Sequence, residues 1–445
     1  MLDNIKLAKN DDGFSDEYTR MYPGENMPRS VTFIVTESCN LRCTYCYEHN
    51  KSQRDMSIDT AKKCIDLLFK MDAENHQYIN PEEAPALILD FIGGEPMLKI
   101  DLIDQIMDYF LRRAVELNHR WAIQYMISMS SNGTLYFDER VQRFLRKHEG
   151  RVSVGITIDG DKKLHDACRL FEDGSGSYDI AAKAFRDIIE KHGLKGTKLT
   201  IAPGNIDYLA TAVKHMYEDF DISVLHANCV FEEGWTNEHA KVLYGQMKVI
   251  ADWLLEDKRY ERLNFSMFDH ELFRPLDPDD NQNWCGGTGK MLAFGVDGKV
   301  YPCLRYAPLS IGEKQKPLVI GTCDTGIEVT PEQCQICSEL RAITRRSQST
   351  DECFNCPIGK GCAWCSAYNY EVFGTPNKRA TFICCMHKAR ALANVYMWNK
   401  LARQLGLDER FPMYVPEEWA VPIIGKDEYE YLRALSAEGG ADAEV

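Results

Sequence analysis

The chain lacks any apolar run near the roughly 18–20 residues that a membrane-spanning helix needs, which excludes a helical membrane protein. It also lacks a secretion signal: the N-terminus, MLDNIKLAKNDDGF, has no basic stretch followed by an apolar one. Positive charge is in deficit, with 52 Lys and Arg against 67 Asp and Glu and a formal net charge of −15. An acidic surface repels phosphate backbones, so nucleic acid is not an expected partner. Internal repeats are absent. Cysteine is too sparse for a disulfide scaffold, at 17 residues among 445 against the roughly 8–10% of such chains. The cysteine count is odd and the chain is long, so a cytoplasmic protein with reduced thiols is expected.

What is present reads as a large globular protein. Hydrophobic residues make up 44% and charged residues 27%, which rules out a mostly disordered chain. At about 150 residues per domain the length predicts two or three domains. Residues 31–235 alternate apolar β-branched runs with amphipathic stretches. Strands are expected at Val31–Thr36, Ala86–Ile92, Gln124–Ser130, Val152–Ile158, Lys198–Ala202 and Ser223–Val230. Helices are expected from Ser57, a candidate N-cap with Ala61, Cys64, Leu68 and Met71 on one stripe, and from near Ile100, Phe137, Tyr178 and Ile206. Repeated strand-then-helix order implies right-handed parallel units. Six units are too few for an eight-stranded closure, so the expected fold is α/β, a partial, open (β/α)6 TIM-like barrel. Residues 1–30 read as an N-terminal extension, 236–280 as a helical linker, 281–405 as a small Cys-rich domain and 406–445 as an acidic extension. Within the Cys-rich part, Asp297-Gly298 predicts a hairpin, and a helix is expected from Met386 to Gln404. The tail from Tyr414 carries eight acids against Lys426 and Arg433, which suggests a surface extension.

The cysteines are clumped. Cys39, Cys43 and Cys46 follow the first strand directly, in the stretch TESCNLRCTYCY. Three thiolates on one loop suit three irons of a [4Fe–4S] cube and leave the fourth iron open, whereas ferredoxin-type clusters use four cysteines. A structural zinc would also need a fourth ligand, and His49 is available. The loop lies at the C-terminal end of a barrel strand, where barrel active sites are built.

With C-x3-C-x2-C after the first strand and Tyr45 before the last cysteine, the sequence resembles the radical S-adenosylmethionine (SAM) superfamily. The resemblance implies that SAM chelates the open iron and is cleaved to a 5′-deoxyadenosyl radical. Further stretches match in order. Gly93-Gly94-Glu95-Pro96 ends the second strand and is similar to the family's GGEP, which receives the SAM amino group. Ser131-Asn132-Gly133 ends the third, beside the methionine and ribose. Asp159-Gly160 ends the fourth, followed by His165-Asp166 and Arg169, a residue suited to the SAM carboxylate as a bidentate donor. Each piece taken singly is a common turn. Five at successive strand ends make one site.

Downstream, the order Cys285, Gly298-x4-Cys303, Cys353-x2-Cys356-x5-Cys362-x2-Cys365 and Cys384-Cys385 resembles the SPASM extension, with Cys362-x2-Cys365 one residue short of its usual spacing. That resemblance implies two more [4Fe–4S] clusters, three in all. Cys353, Cys356, Cys362 and either Cys384 or Cys385 would hold the outer one. Cys285, Cys303 and Cys365 would hold the inner one, with an open iron unless Cys323, Cys334 or Cys337 folds back. A zinc knuckle remains open for the Cys353–Cys365 group. Cys64, Cys168 and Cys229 read as small buried hydrophobes. Tyr45, Tyr47, Trp364, Tyr368 and Tyr370 read as packing, and His226 as a core histidine.

The closing pattern, GCAWCSAYNYEVFGTPNKRATFICCMHKARALANVYMW, is similar to maturases of ribosomally made Cys-rich peptides, including CXXX-repeat precursors. The resemblance implies a thioether product, a Cys-rich precursor peptide as partner, and an external one-electron donor such as flavodoxin or ferredoxin. Peptide epimerases and C–C crosslinking maturases share the cluster motifs. Anaerobic sulfatase-maturing enzymes place an acid just after the equivalent of Cys303; here Leu304 and Arg305 follow, which argues against formylglycine chemistry. An electron carrier or zinc scaffold would have no use for the SAM-binding stretches. With 38 residues before Cys39, fewer than the roughly 40 below which a domain needs help to fold, leader recognition is expected on another surface or on a separate partner.

Overall fold

The computed structural model describes residues 6–8, 29–80 and 82–437. The N-terminal extension and the end of the tail lie largely outside them. Four strands, β1 (Arg29–Thr36), β2 (Leu87–Gly93), β3 (Tyr125–Ser131) and β4 (Val152–Ile156), pair in parallel and in sequence order. Helices α1 (Ile58–Ala73), α2 (Ile100–Glu116) and α3 (Glu139–Lys147) connect them. The α1 start lies where Ser57 predicts it, because the Ser57 hydroxyl accepts the Thr60 N–H at 3.0 Å. Its Ala61, Cys64, Leu68 and Met71 are buried.

The chain continues through α4 (Lys162–Cys168) and α5 (Tyr178–His192) to β5 (Gly196–Ile201), α6 (Leu209–Phe220) and β6 (Val224–Cys229). Strands β5 and β6 are parallel, yet they form a sheet separate from β1–β4. The Thr200 N–H of β5 donates to the carboxylate of Asp159, just past β4, at 3.4 Å.

Later segments complete both sheets. After α7 (Asn237–Leu255), β7 (Asn264–Phe265) pairs with β6. Strand β8 (Leu292–Phe294) adds in parallel to the free side of β1, and Phe294 packs on Phe33 at 5.1 Å between centroids. The Asp297-Gly298 turn makes the expected hairpin from β8 to β9 (Lys299–Tyr301), followed by β10 (Gly321–Thr322) and β11 (Gly326–Ile327). Helices α8 (Pro331–Arg341), α9 (Ser366–Phe373) and α10 (Cys384–Gln404) follow, and α10 packs along α7.

The tail is not a surface extension. It folds into α11 (Glu417–Ile424) and α12 (Lys426–Ser436), which pack on α7 and α10. Ala420, Ile423, Tyr429, Leu432 and Leu435 are buried there. Glu417, Glu418, Asp427 and Glu430 are exposed on two amphipathic helices while Glu428 pairs with Lys248 of α7, so a count of charge alone hides the apolar stripe beneath. Among the described residues no helix is long and apolar enough to cross a membrane.

Candidate active site

The C-terminal ends of the barrel strands open on a cavity of about 460 Å3. Cys39, Cys43 and Cys46 line one side of it, with Gly93, Gly94, Glu95, Ser131, Asn132 and Arg169 opposite. The cysteine loop is pinned to the chain after α4: Arg42 N–H donates to Leu170 O at 2.7 Å and Thr44 N–H to Cys168 O at 3.0 Å. Gly94 lets the second strand end close on this loop. A Cβ there would stand 2.3 Å from Ser38 O and 2.8 Å from Cys39 Cβ, so a larger residue would displace the first cysteine. Burial pushes the Cys39 thiol up to about 12 and raises that of Cys43. Lys51 Nζ lies 3.2 Å from Cys46 Sγ.

The carboxylate of Glu95 is fully enclosed and accepts Ser131 Oγ and Asn132 N–H, both at 2.8 Å, and Met97 N–H at 3.0 Å. It therefore fixes the end of β3 against the end of β2. Arg169 Nε donates to Asp159 at 2.6 Å, and Tyr45 donates its hydroxyl to the same carboxylate. Asp159 and Pro96 do not line the cavity. Asp159 is a buried anchor for Arg169 and Tyr45, and Pro96 opens the turn after Glu95. His165 is buried against Ser177, and burial lowers it to about 4, so it stays neutral.

Sequence reasoning missed several residues of the cavity wall. Lys198, Thr200 and Asn228 come from β5 and β6, on the inward phase of strands whose register only the fold sets. Glu48, Lys51, Glu232 and Arg305 also line it. His226 stands in register with Lys198, outside the cavity wall.

Residues 33–207 match the Radical SAM superfamily model. The chain carries a radical SAM domain. Enzymes of that superfamily work with SAM and a [4Fe–4S] cluster. An uncharacterized protein of Methanocaldococcus jannaschii, MJ0907, is 31% identical over 41% of this chain and 56% of its own. The serine-type anaerobic sulfatase-maturating enzyme of Bacteroides thetaiotaomicron is 23% identical over 60% of this chain and 66% of its own. The chain thus spans between half and two-thirds of these relatives. A solved structure of anSMEcpe with bound AdoMet and Kp18Cys peptide aligns with a TM-score of 0.59 at 18% identity, over 85% of this chain and 99% of the other, a likeness of fold.

Beyond the radical SAM domain seven further cysteines fall into two sets. Cys353, Cys356, Cys362 and Cys384 line a cavity of about 240 Å3. Cys385 turns away toward Cys229 and does not line it. Arg379 donates to Cys353 Sγ at 3.6 Å and stacks on Trp364 at 4.0 Å, while its buried Nε and Nη2 meet no protein acceptor. Trp419 of α11, under Lys388 at 3.9 Å, closes the wall. The second set is Cys285, Cys303 and Cys365, the first two flanking Gly287, where a Cβ would stand 3.2 Å from Cys303 Sγ and 3.7 Å from Cys285 Sγ. Burial pushes the Cys303 thiol up to about 12, with Cys365 and Cys285 adding to the rise. The buried Tyr306 hydroxyl beside these thiols has no protein partner.

These donor sets fit cubane clusters. The first set surrounds a cavity, and each set has a buried N–H or O–H donor beside its thiols without a protein acceptor, suited to electron-rich sulfur. Among the described residues no three His, Cys, Asp or Glu side chains converge as a single ion requires. The three spare cysteines stay clear of the second set: Cys323 meets Cys64, Cys334 Sγ donates to Glu328 O at 2.9 Å, and Cys337 lies 3.8 Å from Tyr78 Oη.

Arg305 links the two regions. It bonds the Cys365 thiol, pairs with Glu232 of the radical SAM cavity, and lies 4.5 Å over the Tyr47 ring.

Proposed function

We propose that this chain is a cytoplasmic radical SAM maturase that forms thioether crosslinks in a ribosomally made Cys-rich peptide, with an external flavodoxin- or ferredoxin-type electron donor and a leader bound outside the described site or by a separate partner. The observation that carries the reading is the set of Cys285, Cys303 and Cys365, which has no fourth cysteine beside it among the described residues and reaches the radical SAM cavity through Arg305. A four-iron cube held there by three thiolates would leave one iron free for a substrate sulfur.

In this reading Cys39, Cys43 and Cys46 hold the cluster that binds SAM. Glu95 and the Gly93-Gly94 backbone take the SAM amino group, Ser131 and Asn132 its methionine and ribose, and Arg169, aimed by Asp159, its carboxylate. Cys353, Cys356, Cys362 and Cys384 hold the outer cluster. SAM and its cluster, held by these residues, would supply hydrogen-abstraction chemistry through a 5′-deoxyadenosyl radical. The protein's share is to fix the acceptor carbon near SAM and the substrate thiol near Arg305, whose positive charge favours the thiolate.

Anaerobic co-expression with a Cys-rich peptide encoded beside the gene, followed by reduction, alkylation and tandem mass spectrometry, tests this. Loss of two hydrogens per cysteine that resists alkylation supports the thioether. An unchanged mass with every thiol alkylated overturns it, and solvent deuterium at an α-carbon would point to epimerisation.

One observation favours a second reading. The acid missing after Cys303 is delivered from another element, since Glu232 sits in the cavity paired to Arg305. The local sequence therefore does not exclude formylglycine chemistry, and an aldehyde on the product peptide that reacts with hydrazide would identify it.

A further inference from the structure

Two cysteines that no cluster uses meet across the seam between the radical SAM domain and the C-terminal hairpin. Cys64 lies on α1 and is fully buried. Cys323 follows β10 and is half-exposed. The backbone brings them together: the Cys323 N–H donates to Gly298 O at 2.7 Å. Gly298, with φ of +76°, has no side chain where Cys323 Sγ and Thr60 Cγ2 would stand 2.6 and 3.1 Å from its Cβ. Thr60 is one turn before Cys64 on the same face of α1. The adjoining residues are paired across the same seam, Lys63 Nζ to Asp324 at 2.6 Å. The Cys64 S–H donates to Cys323, and this bond lowers the Cys323 thiol below its ordinary range.

We infer that Cys64 and Cys323 are a disulfide-forming pair, a modification site that staples α1 to the C-terminal hairpin when a low-molecular-weight disulfide is present. Cys323 is the accessible nucleophile and Cys64 the sheltered resolving thiol. The Cys323 thiolate attacks one sulfur of oxidised glutathione, whose S–S bond breaks and releases one glutathione thiolate. The Cys64 thiol gives its proton to that thiolate and attacks Cys323 Sγ, releasing the second glutathione. Two protein thiols are oxidised, and one glutathione disulfide is reduced to two thiols. The pair lies apart from all three cluster sets, so the inference stands independently of the proposed reaction.

The test is anaerobic incubation of the iron-loaded enzyme with oxidised glutathione, then alkylation, digestion and mass spectrometry. The expected result is a linked peptide joining Cys64 and Cys323, two hydrogens lighter than its parts and abolished by phosphine reductant. The linked enzyme should melt higher than the untreated enzyme. Exposed Cys334 reports that the reagent has reached the protein. In Cys64→Ala, Cys323 should instead retain one glutathione. If Cys334 is modified while wild-type Cys64 and Cys323 are both still alkylated, or if wild-type Cys323 carries glutathione without a link to Cys64, the inference is overturned.

Discussion

The first cysteine site and the two C-terminal sets use the same ligand type but are built in opposite ways. Cys39, Cys43 and Cys46 sit within eight residues on one loop, aimed by the end of β1 and held by backbone bonds to the chain after α4. The set around Arg379 draws Cys353, Cys356 and Cys362 from one loop and Cys384 from the start of α10, and it is closed by Trp419 from the tail. The set at Cys285, Cys303 and Cys365 spans 80 residues of sequence separation. A contiguous site survives as long as its loop does. A dispersed site depends on every element that carries a ligand or a wall.

Breaking each site in turn measures that difference. Cys43→Ala should abolish deoxyadenosine formation in anaerobic SAM-cleavage assays and remove about a third of the bound iron, if three four-iron clusters are present. Cys384→Ala should remove a similar share of iron yet leave SAM cleavage measurable, and Cys385→Ala should leave the iron content unchanged. Equal iron loss in the two variants would contradict the observed orientation of the pair.

Glu232→Gln and Arg305→Lys probe the link between the regions. Peptide modification should fall about 10–100-fold, the range of a lost charge-assisted contact, while deoxyadenosine formation without peptide persists. Parallel loss of both activities would place the pair in SAM binding instead.

Leu432→Ala, in a fully buried position of α12, should cost about 3 kcal/mol of stability, as for other large-to-small core changes. Loosening α11 with it should speed iron loss from the C-terminal region on exposure to air, with the radical SAM cluster lost at its former rate. Iron release and thermal melting followed in parallel would check this. The smallest effect is expected from Ser57→Ala, about 1 kcal/mol from a lost helix cap, with no change in iron content.

Much of the radical SAM half was legible because its signals are local. Strand runs, the Ser57 cap and the turn motifs lie within a few residues of what they specify, and Glu95, Ser131, Asn132 and Arg169 meet at one cavity. Asp159 was legible in place but not in role, since only the fold shows it spent on Arg169 and Tyr45 instead of on the cavity. The Lys198 and Asn228 wall was not legible, because an inward phase on β5 and β6 depends on how two separate sheets face each other.

By itself the sequence determined that Cys39, Cys43 and Cys46 share one loop, which strand ends carry the SAM-type motifs, and where the first helix starts. Backbone conformation and short-range hydrogen bonds settle those features. Only the tertiary structure put Cys384, and not Cys385, in the wall of the C-terminal cavity, placed Cys323 against Cys64, brought Glu232 to Arg305 and laid Trp419 of the acidic tail against that cavity. Those outcomes rest on packing between segments far apart in the chain. There, burial of apolar faces outweighs local charge, and a helix rotated by one residue presents a different thiol.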